Sequence, residues 1–378
     1  MKNSLPLLLL PVETKSREFK SRIYFASIAA DYGFKIWIGS SREIHKELLK
    51  FPKSIIIEND ATIKTKNFAR DASNLGHKLI AWDEESISTI TNKFYVHQRV
   101  ASSVIEMYEY FFTRGFFDAN EIIKTYPKHK SKIVPAGNPR IDILRHQYNK
   151  ELQYCRNGPI VIMSRFARSN PFSISREVAA DNATKKFNLT GYYENFYRAY
   201  LNHCHNIFDL FFPMVKELAE EFHDKEIIIR PHPSEKISTW KDLSMIYKNI
   251  TIDNSNSAEE LAAKASVVIH NGCTTGLEAA LLGIPVFSFM PIESQDYDVP
   301  LPNTVSRIFK TNKSLFNAIK NLFNEEISIQ DNSRRTWEII DNGCIGNNSG
   351  NTSALIILNK IKSIKLKVNL LILLKGFI

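Results

Sequence analysis

Two short β-branched runs in the C-terminal half constrain the fold of this 378-residue chain more than any other feature. The first reads Glu226-Ile-Ile-Ile-Arg-Pro-His-Pro-Ser234. The second, after a gap of ~30 residues, reads Ala265-Ser-Val-Val-Ile-His-Asn-Gly-Cys-Thr-Thr-Gly-Leu-Glu-Ala-Ala-Leu-Leu-Gly-Ile-Pro-Val-Phe287. Unbroken Ile and Val is how a strand buried on both faces of a parallel sheet reads. Each run ends in polar, Pro or Gly residues and gives way to a helical pattern. Open α/β sheets bind ligands at the carboxyl ends of their strands, so the two loops are expected to converge on one crevice.

The residues in those loops suit a phosphate. Thr274 and Thr275 stand at the start of a helix expected over 275–282, where free backbone N–H groups and the helix dipole favour an anion. Gly272 and Gly276 let backbone and ligand approach closely, and Asn271 precedes them. Glu278, about one turn in, suits ribose hydroxyls. In the other loop Arg230 and Pro233 flank His232, which two prolines hold with its ring free to donate. Taken singly, a Thr pair is an ordinary N-cap and a loop histidine an ordinary solvated one. Their coincidence at two strand ends of one sheet favours a phosphate site.

The length suits two domains rather than one core, and 44% apolar with 24% charged residues is a soluble globular composition. No apolar run is long enough to span a bilayer. Leu5–Pro11 is apolar but is followed by charged residues rather than a small-residue cleavage site, so a first buried strand is expected. Four scattered cysteines lack CxxC spacing, which argues against zinc and against a disulfide framework, and places the protein in the cytoplasm. A formal charge of +9 suits anionic ligands or an anionic surface, and no nucleic-acid motif accompanies it. Residues 360–375 are basic, then apolar, and read equally as an interfacial anchor on the inner membrane face or as a last helix and strand docked on the protein.

In chain order, strands and helices alternate from Leu5 onward, with strands expected at 35–38, 54–57, 78–82, 106–112 and 133–135. Repeated β-α-β gives a parallel sheet covered by helices on both faces. A polar run at 145–157 marks a boundary. The division is 1–150 for an acceptor-side domain, 151–350 for a nucleotide-sugar donor domain, and 351–378 for a C-terminal helix and tail. The second domain opens with the strand Pro159–Met163 and an exit loop from Ser164. Residues 168–190 read as an irregular, mobile loop, and 193–222 as a long helix. Two doubly wound, Rossmann-like α/β domains facing a cleft make the architecture called GT-B.

Asp83-Glu84-Glu85-Ser86 follows the strand at 78–82, so it belongs at a carboxyl end as well. Adjacent carboxylates repel, and crowding or partial burial raises one pKa, which suits a general base or a carboxylate nucleophile. An acidic helix start fits the spacing equally well. Glu13, Arg17 and Glu18 after the first strand suit an acceptor sugar or a solvated first turn. Arg140 in Gly-Asn-Pro-Arg, and Ser164 and Arg165 at the exit of the first strand of the second domain, suit an anionic donor or plain surface roles.

Leu10–Glu13, Gly76–Glu85, Gly137-Asn-Pro-Arg-Ile-Asp142, Arg230-Pro-His-Pro233 and Asn271-Gly-Cys-Thr-Thr-Gly-Leu-Glu-Ala279 together resemble the bacterial surface carbohydrate biosynthesis proteins. That family is similar to Kdo transferases and to bacterial GT-B sialyltransferases, and the likeness runs to about Gly283. In those relatives a paired-acid-Gly motif supplies the catalytic carboxylate, and His-Pro and paired-hydroxyl motifs bind the phosphate of a CMP-activated acidic sugar. The resemblance makes Glu84-Glu85 the acid pair, His232-Pro233 the His-Pro and Thr274-Thr275 the hydroxyls. Ser86 stands where the motif has Gly, so the register leaves Asp83, Glu84 or Glu85 as the catalytic carboxylate.

The resemblance implies a glycosyltransferase moving an acidic ulosonic sugar (Kdo, or a nonulosonic acid such as pseudaminic or legionaminic acid) from CMP to a surface polysaccharide or lipopolysaccharide. The CMP-sugar is a substrate and no cofactor is expected; no metal is expected either, because a CMP donor has no diphosphate for a metal to bridge and the chain is read as offering no Asp-x-Asp motif of the metal-binding transferase kind. The competing expectations are an isomerase similar to UDP-N-acetylglucosamine 2-epimerase, a CDP-polyol phosphotransferase, and a non-catalytic sugar-nucleotide binder.

Overall fold

The structure is a computed structural model of the 378-residue chain, and it describes residues 5–84, 92–148, 152–172, 174–187, 189–325, 328–340 and 352–366. The chain divides into two compact units. The first contains β1 (Leu7–Val12), α1 (Lys15–Asp31), β2 (Lys35–Ser40), α2 (Ser41–Lys46), β3 (Ser54–Glu58), α3 (Lys66–Asn74) and β4 (Lys78–Trp82). It continues, from Tyr95, through the rest of α4 (Asn92–Arg99), α5 (Ser102–Ile105), β5 (Tyr108–Thr113), α6 (Phe116–Thr125), β6 (Ile133–Pro135) and the start of α7 (Pro139–Tyr148).

Its six strands are parallel in the order β2-β1-β3-β4-β5-β6. The order reverses at β1, so the crevice for a ligand lies at the exits of β1 and β3. Side chains alternate along each strand, and the two faces build separate cores. Leu9, Ile56, Leu79, Ala81 and Phe111 pack with α3, α5 and α6. Leu8, Leu10, Ile55, Ile57, Ile80, Trp82 and Phe112 pack with Phe25 and Ala29 of α1.

The second unit contains β7 (Ile160–Met163), α8 (Arg176–Lys186), α9 (Gly191–Glu221), β8 (Ile227–Arg230), α10 (Ile237–Ile246), β9 (Ile250–Ile252), α11 (Ala258–Lys264) and β10 (Val267–His270). After these come α12 (Thr274–Leu281), β11 (Val286–Phe289), α13 (Pro300–Thr304), β12 (Arg307–Phe309), α14 (Asn312–Leu322) and α15 (Ile329–Ile340). The parallel sheet runs β12-β11-β10-β7-β8-β9. This is the dinucleotide-fold order, with its switch point between β7 and β10. One face packs Ile160, Ile162, Ile227, Ile229, Val267 and Ile269 against Ile207, Phe211, Met214, Val215 and Leu218 of α9. By alternation, Val268 and His270 face the opposite side, toward α12.

Two expectations change, and the expected C-terminal helix gains a location. Residues 168–190 are not an irregular loop, because α8 occupies 176–186, capped where the Val178 amide donates to Ser175 Oγ at 3.3 Å. Its buried stripe is Ala180 and Ala183, too small to register as an apolar period, and it packs on Leu189, Tyr197 and Leu201. Helices α10 and α11 fill a gap left without helices, although Ser257 and Glu260 form a capping box that marks the start of α11. The C-terminal segment supplies α16 (Ser353–Ile361), which returns to the first unit. Ala354, Ile357, Leu358 and Ile361 are fully buried there, and Ser353 N donates to Asp142 Oδ2 at 2.8 Å. Most of the basic-apolar tail, from Lys367 on, lies outside the described residues. No described helix is long and apolar enough to cross a membrane.

Candidate functional site

Three loops meet at the carboxyl edge of the second sheet, and the strand order β10-β7-β8 puts the exit of β7 in the middle. The His232 and Thr274 loops are therefore two strand spacings apart, roughly 10 Å, with Arg165 between them. Spacing along the sequence had paired the outer two and treated Arg165 as peripheral.

After β8, His232 is half-buried, and the Ser234 N–H donates to its Nδ1 at 3.1 Å. A nitrogen that accepts carries no proton, so neutral His232 presents Nε2–H as a donor. That is the tautomer a phosphate oxygen requires. Pro233 is exposed beside it. Arg230 leans the other way, its Nε 3.4 Å from the Asn256 carbonyl in the loop after β9.

After β10, Asn271 uses both ends of its amide. Nδ2 donates to the Phe289 carbonyl at 2.8 Å, and Oδ1 accepts from Arg165 Nη2 at 2.9 Å. Gly272 takes φ +55°, the left-handed region that favours glycine, and carries the chain into α12. A Cβ on Gly272 would stand 3.6 Å from the Arg165 guanidinium carbon and 3.4 Å from Val299. Cys273 is the N-cap of α12, and Thr274 and Thr275 are half-buried in its first turn. The free amides of that turn, the Arg165 cation and His232 Nε2–H all attract negative charge. Glu278 is buried in the next turn.

Gly276 has a different job from the one its sequence position implies. A Cβ there would lie 2.6 Å from the His270 ring, so the glycine makes room for a histidine. His270 is fully buried, accepts from the Cys273 amide at 3.1 Å through Nδ1, and meets Ser306 Oγ at 2.9 Å through Nε2. Burial first, then the Arg165 charge, pushes its pKa down to about 3. It is a neutral strut under the start of α12.

Sequence reasoning missed Glu235, the first fully buried residue after the His-Pro turn. Its carboxylate accepts from Ser164 Oγ at 2.8 Å, Phe166 N at 2.8 Å, His232 N at 3.2 Å and Trp240 Nε1 at 2.9 Å. Burial raises its pKa, and those bonds oppose the rise. Ser164, expected to meet a substrate, thus has its hydroxyl committed to Glu235. A histidine–aspartate pair at the same edge was also unforeseen. His203 Nε2 and Asp298 Oδ1 are 2.8 Å apart, and Asp298 Oδ2 accepts from Ser294 N at 2.7 Å. The two residues are far apart in sequence, so no local signal joins them. Asp296-Tyr297-Asp298 does have Asp-x-Asp spacing, which corrects the sequence expectation. Its second carboxylate is taken by His203 and a backbone amide, and no cluster of three metal-ligating side chains occurs among the described residues.

In the first unit the two described acids of the Asp83–Glu85 stretch turn to different partners. Asp83 is fully buried and pairs with Arg99 at 3.0 Å. Glu84 turns to Ser21 Oγ at 2.9 Å and Arg22 at 3.4 Å, while its carbonyl accepts from Asn138 Nδ2 at 3.0 Å. Burial raises the Glu84 pKa first, Arg22 and Ser21 oppose the rise, and the nearby Glu18 charge adds to it. Glu85 lies outside the described residues, as does the side chain of Arg17. Glu18 accepts the amides of Glu13 and Thr14 at 2.8 and 3.1 Å, and so secures the start of α1. Glu13 stays exposed at the exit of β1, its pKa raised first by partial desolvation and then by Glu18, Asp60 and Glu58. Arg140 is half-buried, its amide on Asn138 Oδ1 at 3.0 Å.

Both units thus carry a switch point on a parallel sheet, and known structures share the fold. A candidate UDP-N-acetylglucosamine 2-epimerase of Listeria monocytogenes is similar at TM-score 0.58 and 12% identity, over 95% of this chain and 96% of that one. The wall teichoic acid polymerase TagF matches at TM-score 0.52 and 14% identity, over 97% and 92%. The UDP-GlcNAc 2-epimerase of Neisseria meningitidis, bound to UDP-GlcNAc, matches at 0.52 and 10%, over 94% and 99%. The fold is GT-B, built from two Rossmann-like units. Residues 189–336 match the family model described as a protein of unknown function, DUF354. No curated protein matches the chain.

Proposed function

We propose that the protein is a GT-B glycosyltransferase that takes an acidic ulosonic sugar from a CMP-sugar donor to a cell-surface glycan. The observation that carries the reading is the anion-attracting edge of the second unit. His232 Nε2–H, the Arg165 guanidinium and the amides at the start of α12 surround one switch point. A single phosphate with a neighbouring sugar carboxylate presents the negative charge such a set attracts. The surface-carbohydrate motifs support the acidic sugar. Donor and acceptor would meet on the cytoplasmic face of the inner membrane, where a lipid-linked acceptor lies.

In this reading Glu85 is the catalytic carboxylate, because Asp83 and Glu84 are buried on their own cations. It acts either as general base toward the acceptor hydroxyl or as nucleophile on the anomeric carbon. Glu13, whose raised pKa suits a proton acceptor, contacts the acceptor.

Calorimetric titration with CMP, CDP, UDP and GDP tests the reading. CMP should bind most tightly. Tighter binding of UDP or CDP would move the assignment to a UDP-sugar isomerase or a CDP-polyol transferase. Glu85→Gln should abolish transfer with CMP affinity intact, and full activity in that variant would remove Glu85 from the chemistry.

A further inference from the structure

The nucleotide reading leaves open what holds Arg165 and His232 in register, given that they sit on different loops. Four donors from three segments converge on one fully buried carboxylate, that of Glu235. Ser164 Oγ and Phe166 N are the groups on either side of Arg165, so Glu235 grips the β7 exit before and after that residue. The Arg165 side chain leaves the grip in the other direction, to Asn271. On the β8 side, His232 N donates to Glu235 Oε1, and Glu235 N donates back to the His232 carbonyl at 2.8 Å. This closed turn sets the Ser234 amide on His232 Nδ1 and fixes the Nε2–H tautomer. Trp240 Nε1, from α10, anchors the carboxylate from beneath.

We propose that Glu235 is the positioning residue of this crevice: one carboxylate sets both the Arg165 cation and the protonated Nε2 of His232, so neither anion contact survives its loss. The proposal rests on the phosphate reading for its purpose but not for its geometry. An ionised carboxylate can accept from all four donors at once. An amide of the same shape accepts on one side only and turns its own NH2 toward the other. Glu235→Gln can therefore keep Phe166 N and His232 N while losing Trp240, and Glu235→Leu loses every acceptor.

Nitrogen-15 NMR of ring-labelled histidines in the full chain, with His232→Ala for assignment, reads the tautomer directly and without any ligand. Wild type and Glu235→Gln should show His232 protonated at Nε2 alone, and Glu235→Leu should show mixed tautomers. Titration with CMP should then weaken about tenfold or more in Glu235→Leu, the loss of at least one charge-assisted bond, with Glu235→Gln close to wild type. Should Glu235→Leu not fold, Ser164→Ala tests the Arg165 arm alone, with CMP binding weakened and the His232 tautomer kept. A folded Glu235→Leu with wild-type tautomer and affinity overturns the proposal, as does Ser164→Ala with unchanged affinity. Tautomer release in a protein that binds no nucleotide would sink the functional reading and leave Glu235 as a structural clamp.

Discussion

Arg165 Nη2 lies 2.9 Å from Asn271 Oδ1, which ties the exit of β7 to the exit of β10 across the point where the strand order reverses. The bond leaves a cation held at the centre of the edge, flanked by the start of α12 on one side and His232 on the other. Binding should depend on its shape as well as its charge, since a guanidinium has a planar fork and an ammonium does not.

Arg165→Lys should weaken CMP binding by about tenfold despite keeping the charge, because Lys cannot hold Asn271 and a phosphate together. His232→Ala should cost roughly 1.5–3 kcal/mol of CMP binding, the range for a hydrogen bond to a charged group. Titration calorimetry on well-folded variants decides both, and unchanged affinity in either takes that side chain out of the site.

Gly276→Ala should destabilise the second unit by about 1–3 kcal/mol, because its Cβ meets the buried His270 ring at 2.6 Å. Urea unfolding in a His270→Ala background should recover most of that cost through the interaction term. A cost that stays the same in both backgrounds rules out the steric account.

The pH dependence of stability should carry a signature of His270. Its pKa is about 3 in the folded chain against an ordinary 6.5. The unfolded chain therefore takes up the proton first. Stability contributed by the neutral ring is full above 6.5 and falls as pH drops toward 3. Between pH 7.5 and 5 the wild type should lose roughly 2 kcal/mol more than His270→Asn. Parallel stability curves for the two proteins would show that the folded ring titrates normally.

Ile357→Ala should cost about 2–5 kcal/mol, as for other fully buried aliphatic truncations. The loss belongs to the first unit, where α16 packs on α1. Hydrogen exchange should accelerate at β1 and β3 amides and stay slow at β10. Loss of protection in β10 instead would place α16 in the wrong unit.

What could be read in the sequence was what repeats locally. Ile227–Ile229 and Val267–Ile269 announce buried parallel strands without help from anything distant, and so does the β-α-β alternation of the first half. Thr274-Thr275 gives the helix start. What escaped was set by tertiary neighbours. Nothing near Arg165 shows that β7 sits between β8 and β10, and Glu235 looks like any polar residue after a turn until four donors reach it. Gly276 looks in sequence like a point where a ligand comes close, but the group packed against it is His270. Asp83 and Glu84 look like one cluster in sequence, yet Arg99 and Arg22 draw them apart.

The return of α16 to the first unit orders events in time as well as in space. Ser353 bonds Asp142 across 211 residues, and between them lies most of the second unit, Leu144–Ile340. On a ribosome the first sheet emerges early, with Leu8, Ile55 and Ile57 lacking the helix that covers them. The second unit is translated and free to fold before that cover arrives. During synthesis at about 5–20 residues per second, the first unit spends on the order of 10–40 s incomplete, with an apolar face open to chaperones or to another nascent copy.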